Sequence, residues 1–379
     1  MQKAAVVGLG IGLAHCAGYI ESKNAELAAV CDKDPVRLSK VGGTFSQGSM
    51  LILKQLFSED TLKKTWEELG VKTYLSFDDL LKDDTIDTIS LCTPDYQHAE
   101  QALKIIKKGK NLLLEKPIAI TLNDAEQVLK ESSRTTNGLA IGYEFRINPA
   151  VCKIKDLIDS GFTGRIHAFS LYHFRRSFKR DKWNRWIEKK NYSGGMLVEE
   201  TCHWFDLARY ITGKEIESLH CVTTDKIYND FDYEDIAYIN GRFSNGAILQ
   251  ISHALAGFDF DLSITVYGEK GTIRCNLKEL PFSLPNNGST DYYGIVSWGK
   301  PNSSPDEAET VTFSKEATEP YNIKEYVKYF IDTLSGFSNP QNANKNSITA
   351  RADDGFKSLK LSLISQKSSE EGKIIKVVQ

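Results

Sequence analysis

Short apolar runs alternate with amphipathic helical patterns along the first third of the chain. Each run has the length of a strand and is continuously apolar, which is typical of strands covered on both faces. The runs span residues 4–7, 27–31, 88–92 and 111–114, and the helical patterns span residues 13–22, 34–40, 78–82 and 95–108. This alternation predicts βαβ units with a parallel sheet.

Residues 42–72 interrupt this alternation. Their apolar positions predict one or two helices, at residues 50–57 and 58–70, which form an insertion packed beside the sheet. Ser58 is a suitable N-cap for the second helix, and Gly70 is a suitable end.

After Pro117 the pattern becomes rich in strands. Two hairpins are predicted, and one of them encloses Asn245-Gly246, a dipeptide that favours tight turns. Residues 285–308 are rich in Pro, Asn, Ser and Gly, which predicts an exposed loop. The hairpins are predicted at residues 237–252 and 262–275, and helices at residues 123–135, 149–160, 198–211, 322–335 and 349–368.

Length and composition indicate a folded chain of two domains. The chain has 379 residues, of which 41% are hydrophobic and 26% charged, so disorder and fibrous folds are excluded. We predict a first domain at residues 1–120, including the insertion, and a second domain at residues 121–379. The 47 Lys and Arg residues against 50 Asp and Glu residues give a net charge of −3. Because nucleic-acid binders usually carry a basic excess, no nucleic-acid partner is expected.

The cysteine and apolar patterns favour a cytoplasmic protein. The seven cysteines are odd in number and form no CxxC pair, as expected for reduced thiols. Residues 4–20 are almost all apolar or small, and a signal-peptide core is an alternative for them, although their glycines and the central His15 fit it poorly. No other stretch approaches the ~20 apolar residues of a membrane span, so no membrane partner is expected.

A glycine-rich loop follows the first predicted strand. Gly8, Gly10 and Gly12, with Ile11 among them, would let a pyrophosphate approach the backbone at the start of the next helix. Asp32 ends the second predicted strand, where a carboxylate accepts both ribose hydroxyls of NAD and repels the 2′-phosphate of NADP. We therefore predict NAD as the cofactor, with NADP less favoured. A structural turn is the alternative, because the third glycine comes one residue earlier than in GxGxxG.

Four further motifs follow in a fixed order. They are Thr93-Pro94 with His98, Glu115-Lys116-Pro117, residues 142–149 (GYEFRINP) and residues 194–206 (GGMLVEETCHWFD). Together they resemble the Gfo/Idh/MocA family, the glucose–fructose oxidoreductase and inositol dehydrogenase group, from residue 3 to about residue 275.

This resemblance implies an α/β fold, with an N-terminal Rossmann domain and a C-terminal α/β domain that has a large, mostly antiparallel sheet. It also implies NAD(P)-dependent oxidation or reduction of a hydroxyl on a sugar, cyclitol or related polyol. A homodimer or homotetramer is expected, because one sheet face commonly forms the subunit interface in the family. The Lys116–Pro117 bond is expected to be cis, as it often is in the family.

The last motif departs from the family pattern GGGxLxDxGxHxxD. Ser193 stands at the first glycine, Glu199 at the aspartate and Thr201 at the later glycine. Glu199 retains a carboxylate, so the chemistry of the motif is kept while its geometry changes.

Hydride transfer from an alcohol requires a group that accepts the hydroxyl proton. We assign His203 as the proton acceptor and donor, Lys116 as the partner of the substrate oxygen, and Glu199 as the residue that orients His203 from one helical turn away. Family members differ over whether the lysine or the histidine is the formal base.

Plainer interpretations exist for the same residues. Glu115 and Lys116 would be a solvated surface pair, or His203 a buried histidine with ordinary hydrogen bonds. Glu199 and His203 with Asp206 would form a metal site, but without a second histidine we expect no metal.

Other residues are candidates for binding. Thr93, Pro94, His98, Glu115 and Lys116 are expected to line the cofactor, although His98 is equally suited to a helix surface. Tyr143 and Arg146 are placed beside the active site by the resemblance, with a structural salt bridge as the alternative for Arg146.

Residues 172–192 are basic and aromatic. Aromatic rings stack on sugars and arginine binds anions, so Trp183, Arg185 and Trp186 are candidates for substrate contact. The alternative is a subunit contact or a solvated face.

The sequence therefore predicts an NAD(H)-preferring oxidoreductase that acts on a sugar or cyclitol hydroxyl. Two alternatives share the same first domain: a glycosidase that uses bound NAD in a transient oxidation, and a non-catalytic dinucleotide-binding regulator.

Overall fold

The chain folds into two units. The computed structural model describes residues 1–43, 54, 56–177, 183–224, 226–279, 292–314, 322–337 and 348–377. The first unit consists of the described parts of Met1–Tyr143, Asp181–Trp186 and Ile323–Phe356, and the second of the described parts of Glu144–Arg180, Ile187–Asn322 and Lys357–Gln379.

Helices and strands alternate through most of the described residues. The helices there are α1 Gly12–Glu21, α2 Pro35–Ser39, α3 Glu59–Lys63, α4 Phe77–Leu80, α5 His98–Lys107, α6 Leu122–Ser132, α7 Pro149–Asp159, α8 Lys190–Ser193, α9 Met196–Glu199, α10 Thr201–Thr212, α11 Ile323–Phe337 and α12 Ala352–Glu371. The strands are β1 Gln2–Val7, β2 Ala25–Cys31, β3 Lys72–Tyr74, β4 Thr88–Leu91, β5 Asn111–Leu114, β6 Leu139–Ile141, β7 Ile166–Arg175, β8 Ile216–Thr223, β9 Ile236–Phe243, β10 Ile248–Ala254, β11 Phe260–Gly268, β12 Thr272–Glu279, β13 Tyr292–Gly299, β14 Glu309–Phe313 and β15 Ile375–Lys376.

The first unit is built on a parallel sheet. Its described strands have the order β3-β2-β1-β4-β5-β6, and every pair is parallel. This is the Rossmann order, which reverses direction between β1 and β4 and opens a crevice at the carboxyl ends of these strands. The apolar stretch at residues 4–20 supplies most of β1 and α1. The four predicted strands are confirmed, and the predicted sheet gains β3 and β6.

The predicted caps of the insertion are confirmed. The Ser58 side chain accepts a hydrogen bond from the Thr61 N–H and so caps α3. Gly70 ends the following 3₁₀ turn with a φ of 74°. Most of the helix predicted at residues 50–57 lies outside the described residues.

The first unit also contains β6 and α11, which both follow the predicted domain boundary in the chain. β6 pairs with β5, and α11 packs on α1 so closely that a Cβ at Gly18 would lie 2.8 Å from Val327 Cβ. The Tyr326 hydroxyl donates to the Ile141 carbonyl at 2.7 Å. The boundary predicted at residue 120 therefore falls inside the first unit, because the apolar faces of β6 and α11 are buried there.

The second unit contains a large, mostly antiparallel sheet, as predicted. Its described strands have the order β14-β13-β12-β11-β7-β10-β9-β8-β15, and only the β7–β10 pair among them is parallel. Both predicted hairpins are confirmed, as β9–β10 and β11–β12. The loop predicted at residues 285–308 is partly wrong: β13 lies within it and pairs with β12 and β14. Its β-branched and aromatic residues outweigh the flanking loop composition.

Helices cover one face of this sheet. α7 packs against β12 and β13, while α10 packs against β7 and β10. α12 reaches β8, where the Ser368 hydroxyl accepts the Cys221 N–H at 2.9 Å. Within the described parts of the chain, no helix combines the length and apolar character that crossing a membrane requires.

Candidate active site

The glycine loop between β1 and α1 lies against the loop that follows β4. Gly8 has a φ of +89°, and a Cβ there would lie 2.4 Å from the Cys92 carbonyl oxygen. A Cβ at Gly12 would lie 2.8 Å from Val6 Cγ1. Because both positions exclude a side chain, the loop and the start of α1 approach β1 and β4 closely at the point where the strand order reverses.

The first turn of α1 suits an anion. Its N-cap residue, Ile11, makes no side-chain capping bond, and no acidic residue occupies the first turn. A Cβ at Gly10 would meet its nearest atom, Arg37 Nη1, at 3.9 Å, which leaves the loop open on that side. Backbone N–H groups and the helix dipole here fit the pyrophosphate of a dinucleotide. The early third glycine serves helix packing and leaves this end of α1 intact.

Asp32 lies at the end of β2, as predicted, and is 7% exposed. Its Oδ2 accepts the Leu9 N–H at 2.7 Å, and its Oδ1 accepts the Asp34 N–H at 2.9 Å. A carboxylate has further lone pairs for ribose hydroxyls after two such bonds. The structure therefore joins Asp32 to the glycine loop.

Arg37 lies beside Asp32 and the glycine loop, and the sequence analysis missed it. Its Nη1 lies 3.5 Å from Asp32 Oδ2, and its Nε lies 3.8 Å from Asp34 Oδ2. A planar guanidinium beside an anion-binding loop suits stacking on an adenine ring or contact with a phosphate. The available signal was a basic residue in the short helix directly after Asp32.

The His98 ring lies between the loops that follow β4 and β5. Its Nδ1 lies 2.7 Å from the Pro117 carbonyl oxygen, and its Nε2 lies 2.8 Å from the Thr93 carbonyl oxygen. Burial lowers the pKa of His98 below its usual value. The surface alternative for His98 is wrong, since only 1% of the residue is exposed. Thr93 donates from its hydroxyl to Gln101 Oε1 at 2.7 Å, and Pro94 follows at the start of a 3₁₀ turn.

Glu115 and Lys116 leave β5 at the carboxyl edge of the sheet. The Lys116–Pro117 bond is cis, as expected. Glu115 is buried, and its Oε2 accepts the Lys116 N–H at 3.2 Å. A solvated surface pair is therefore excluded for Glu115, while the Lys116 residue is half-buried at the sheet edge.

A hydrogen-bonded chain beneath the glycine loop reaches Glu115. His15 Nε2 lies 2.9 Å from Glu115 Oε1, and its Nδ1 lies 3.0 Å from Ser90 Oγ. The Tyr19 hydroxyl lies 2.7 Å from the same Ser90 oxygen. A carboxylate only accepts, so Nε2 carries the proton and Nδ1 accepts from Ser90. The sequence analysis missed this chain, because its members are separated by up to 100 positions.

In the second unit, Arg146 and Asp206 form a buried ion pair. Arg146 Nε and Nη2 donate to the two Asp206 carboxylate oxygens at 2.7 and 2.6 Å. The guanidinium also lies 4.8 Å from the Tyr210 ring centre. The salt-bridge alternative for Arg146 is confirmed, and the same pair occupies the Asp206 carboxylate that the metal alternative required. Tyr143 is buried in the first unit.

The glycines of the last motif form a tight turn before α9. Gly194 has a φ of 75° and Gly195 a φ of 80°. A Cβ at Gly194 would lie 2.6 Å from Val198 Cβ, and the Ser193 hydroxyl accepts the Gly195 N–H at 3.1 Å. Ser193 therefore stabilises the turn from the position of the family's first glycine.

The helix predicted at residues 198–211 is interrupted. α9 ends at Glu199, α10 begins at Thr201, and Glu200 between them has φ −116° and ψ −43°. Simple one-turn spacing therefore does not apply between Glu199 and His203. Both are buried. The ring centres of Phe145 and His203 lie 5.4 Å apart, and the two rings meet edge to face.

The basic-aromatic segment is described only in part. Residues 183–188 form a 3₁₀ turn, in which Arg185 is exposed with a φ of 51° and Trp186 is half-buried. The Trp183 side chain and residues 178–182 lie outside the described set. Residues 183–186 group with the first unit.

Comparison with known proteins identifies both halves of the chain. Residues 2–143 match the description "Oxidoreductase family, NAD-binding Rossmann fold", and residues 151–274 match "GFO/IDH/MocA C-terminal domain". The structure is similar to that of a probable dehydrogenase from Thermotoga maritima, with a TM-score of 0.73 and 23% identity over 99% of this chain and 98% of that one. It is also similar to GenD2 from gentamicin A biosynthesis in complex with NAD, with a TM-score of 0.74 and 20% identity over 100% and 97%.

Curated relatives carry related names. A myo-inositol 2-dehydrogenase of Thermotoga maritima is 30% identical over 220 residues, which is 57% of this chain and 64% of the relative. A scyllo-inositol 2-dehydrogenase (NAD(+)) of Bacillus subtilis is 25% identical over 277 residues, 72% of each chain. The chain thus spans less than two thirds of the length of the first of these relatives. With both family regions matched in order, the chain belongs to the Gfo/Idh/MocA oxidoreductase family, and its first unit is an NAD-binding Rossmann domain.

Proposed function

We propose that this protein is an NAD(H)-dependent oxidoreductase that transfers a hydride between nicotinamide and a secondary hydroxyl or ketone of a sugar, cyclitol or related polyol. One observation carries the proposal: a single sheet edge bears the anion-binding glycine loop after β1 and Lys116 after β5. The names of the inositol dehydrogenase relatives support the polyol class.

The residues of the first unit would hold the cofactor in named ways. The N–H groups of the glycine loop and the α1 N-terminus would bind the pyrophosphate, and Asp32 would accept hydrogen bonds from the ribose hydroxyls. Arg37, whose Nη1 lies 3.5 Å from Asp32 Oδ2, would contact the adenosine end. When bound, NAD supplies the hydride acceptor, and the protein supplies binding, orientation and proton transfer.

Proton transfer is assigned to side chains of this chain. Lys116 donates a hydrogen bond to the reacting oxygen and stabilises its developing negative charge. His203 takes the hydroxyl proton during oxidation and returns it during reduction, as an imidazole near neutral pH can do. Glu199 is proposed to orient His203, and Tyr143, Arg185 and Trp186 remain proposed substrate contacts.

A substrate screen tests the reaction. Purified protein is mixed with NAD and a panel of inositols, sugars and sugar acids, and NADH formation is followed by absorbance. Lys116→Ala and His203→Ala should each lower turnover by about 10²-fold or more, while NADH binding measured by fluorescence stays unchanged. Lys107→Ala and His167→Ala alter exposed residues of the same types and serve as matched controls. Full turnover in either site variant would refute the assignment.

We further propose a homo-oligomer that uses the open face of the second sheet. Five large side chains on this face are 41–55% exposed: Tyr172, Val222, Tyr238, Ile248 and Tyr267. Their strands pair in a register that places them on one face. Tyr238→Glu should shift the chain to a smaller species in light scattering.

The seven free thiols support the cytoplasm as the compartment.

A further inference from the structure

Three metal-ligating side chains meet in the second unit. His173 on β7 and His253 on β10 are direct partners in the parallel pair of these strands. Glu200, in the break between α9 and α10, completes the group. The ligand atoms of these three side chains all lie within 4.8 Å of one another, which identifies them, among the described residues, as a group that could hold a metal ion. All three residues are at most 1% exposed.

His173 gives an independent indication of a ligand. Neither of its ring nitrogens has a hydrogen-bond partner in the part of the chain that the structure describes, although the residue is fully buried. Such groups are rare in folded proteins, and an ion or a water at the site is one explanation for them. An imidazole nitrogen that carries no proton can donate its lone pair to a metal.

Thr201 determines which ring nitrogen of His253 carries the proton. The Thr201 hydroxyl donates to the Met196 carbonyl at 3.3 Å, so its oxygen accepts from His253 Nδ1 at 2.7 Å. His253 Nε2 is then the nitrogen with the lone pair. This arrangement, in which the second nitrogen of a ligating histidine is held by a neighbour, is characteristic of metal sites. Thr201 replaces the glycine of the family pattern, so the arrangement depends on a residue in which this chain differs.

Arg175 orients the Glu200 carboxylate. Its Nη1 lies 2.9 Å from Glu200 Oε1. A carboxylate has two oxygens and about four lone pairs, so one contact with arginine leaves capacity for a metal bond. The Trp204 ring lies 4.2 Å from the His173 ring and shields the group from water.

We propose that His173, Glu200 and His253 bind one divalent transition-metal ion, with Zn²⁺ as the expected occupant. Two imidazole nitrogens and one carboxylate oxygen form a ligand set that zinc accepts and that Mg²⁺ and Ca²⁺ disfavour. The ion would join the α9–α10 break to the two central strands of the second sheet. It would therefore stabilise the backbone on both sides of Glu200, which carries Glu199 and His203.

Metal content tests the proposal directly. The full chain, freed of any histidine tag, is incubated with Zn²⁺, passed over a chelating resin and analysed by mass spectrometry for metals. We expect about one equivalent per chain, in line with a buried three-ligand site. Replacement by Co²⁺ should give visible absorption bands, and Zn²⁺ should raise the melting temperature of metal-stripped protein. These measurements need no turnover, so they are independent of the proposed reaction.

Variants locate the ion. His173→Ala and His253→Ala should each lower the bound metal at least about tenfold, and Glu200→Gln should do the same. His167→Ala, an exposed histidine on the same strand as His173, should retain the full amount. Circular dichroism confirms folding of each variant. Folded wild-type protein that retains no Zn²⁺ and gives no Co²⁺ bands would overturn the proposal, as would metal that survives in a folded His173→Ala/His253→Ala double variant.

Discussion

Removing the charge of Asp206 should strongly destabilise the second unit. Asp206 is fully buried, and its partner Arg146 is 3% exposed. In Asp206→Asn the guanidinium keeps its charge but loses the carboxylate that it contacts through two hydrogen bonds. Because breaking a buried ion pair leaves an uncompensated charge, we expect a loss of about 3–5 kcal/mol in the free energy of unfolding.

This loss is large enough to measure by two methods. For a unit of this size, a change of 1 kcal/mol shifts the melting temperature by roughly 2–4 °C, so a decrease of roughly 6–20 °C is expected. Hydrogen exchange of the α10 amides reports on the second unit directly. Asp79→Asn is the matched control, because the side chains of Asp79 and its partner Lys82 are 62% and 71% exposed. The free energy of unfolding of this variant should fall by less than about 1 kcal/mol.

A double variant separates the charge effect from packing. Arg146→Met combined with Asp206→Leu removes both charges and fills a similar volume, so it should be less destabilised than the sum of the single changes. A loss below about 1 kcal/mol in Asp206→Asn, or strictly additive single and double changes, would refute the reasoning.

Three further predictions concern the first unit. Gly8→Ala should weaken NADH binding, measured by fluorescence titration, by about tenfold or more, because the new Cβ would lie 2.4 Å from the Cys92 carbonyl oxygen. Gly109→Ala is the control and should bind NADH normally, since no atom lies within 4 Å of its Cβ position. Asp32→Ala should weaken NAD more than NADP, and an unchanged ratio of the two dissociation constants would contradict the ribose assignment. Burial lowers the pKa of His98, so near pH 6.5 the unfolded chain takes up a proton that the folded chain does not. The free energy of unfolding should therefore fall as the pH decreases below about 6.5, and in His98→Gln the melting temperature should depend less on pH.

The architecture was largely predictable from the apolar pattern. Buried parallel strands are continuously apolar, so β1, β2, β4 and β5 stand out from the helices between them. β3 and β6 contain three residues each, which is too short for a periodic signal. β13 was hidden because its strand-forming residues follow a segment rich in Pro, Asn and Gly. The return of α11 to the first unit depends on tertiary contacts that no local pattern contains.

The site was predictable where chemistry is local and not where partners are distant. Glycine spacing, the acid at the end of β2 and the cis bond after Lys116 all follow from short motifs. Arg146 and Asp206 were both noted as candidates, but their pairing spans 60 positions and only the fold brings them together. Glu199 and His203 were assigned to one continuous helix, and the break at Glu200 shows that spacing alone did not determine their geometry.

The shortened glycine fingerprint has a physical use in this chain. Gly12 lets α1 approach β1, since a Cβ there would contact Val6 at 2.8 Å. His15 follows three residues later, on the same face of α1, and this close approach brings its ring to Ser90 on β4 and to Glu115, which directly follows β5. The glycine loop and the strand end that carries Lys116 are thereby joined by hydrogen bonds through a single side chain. The early glycine and the buried histidine therefore act together, because the close approach that Gly12 permits places His15 within hydrogen-bond distance of Ser90 and Glu115.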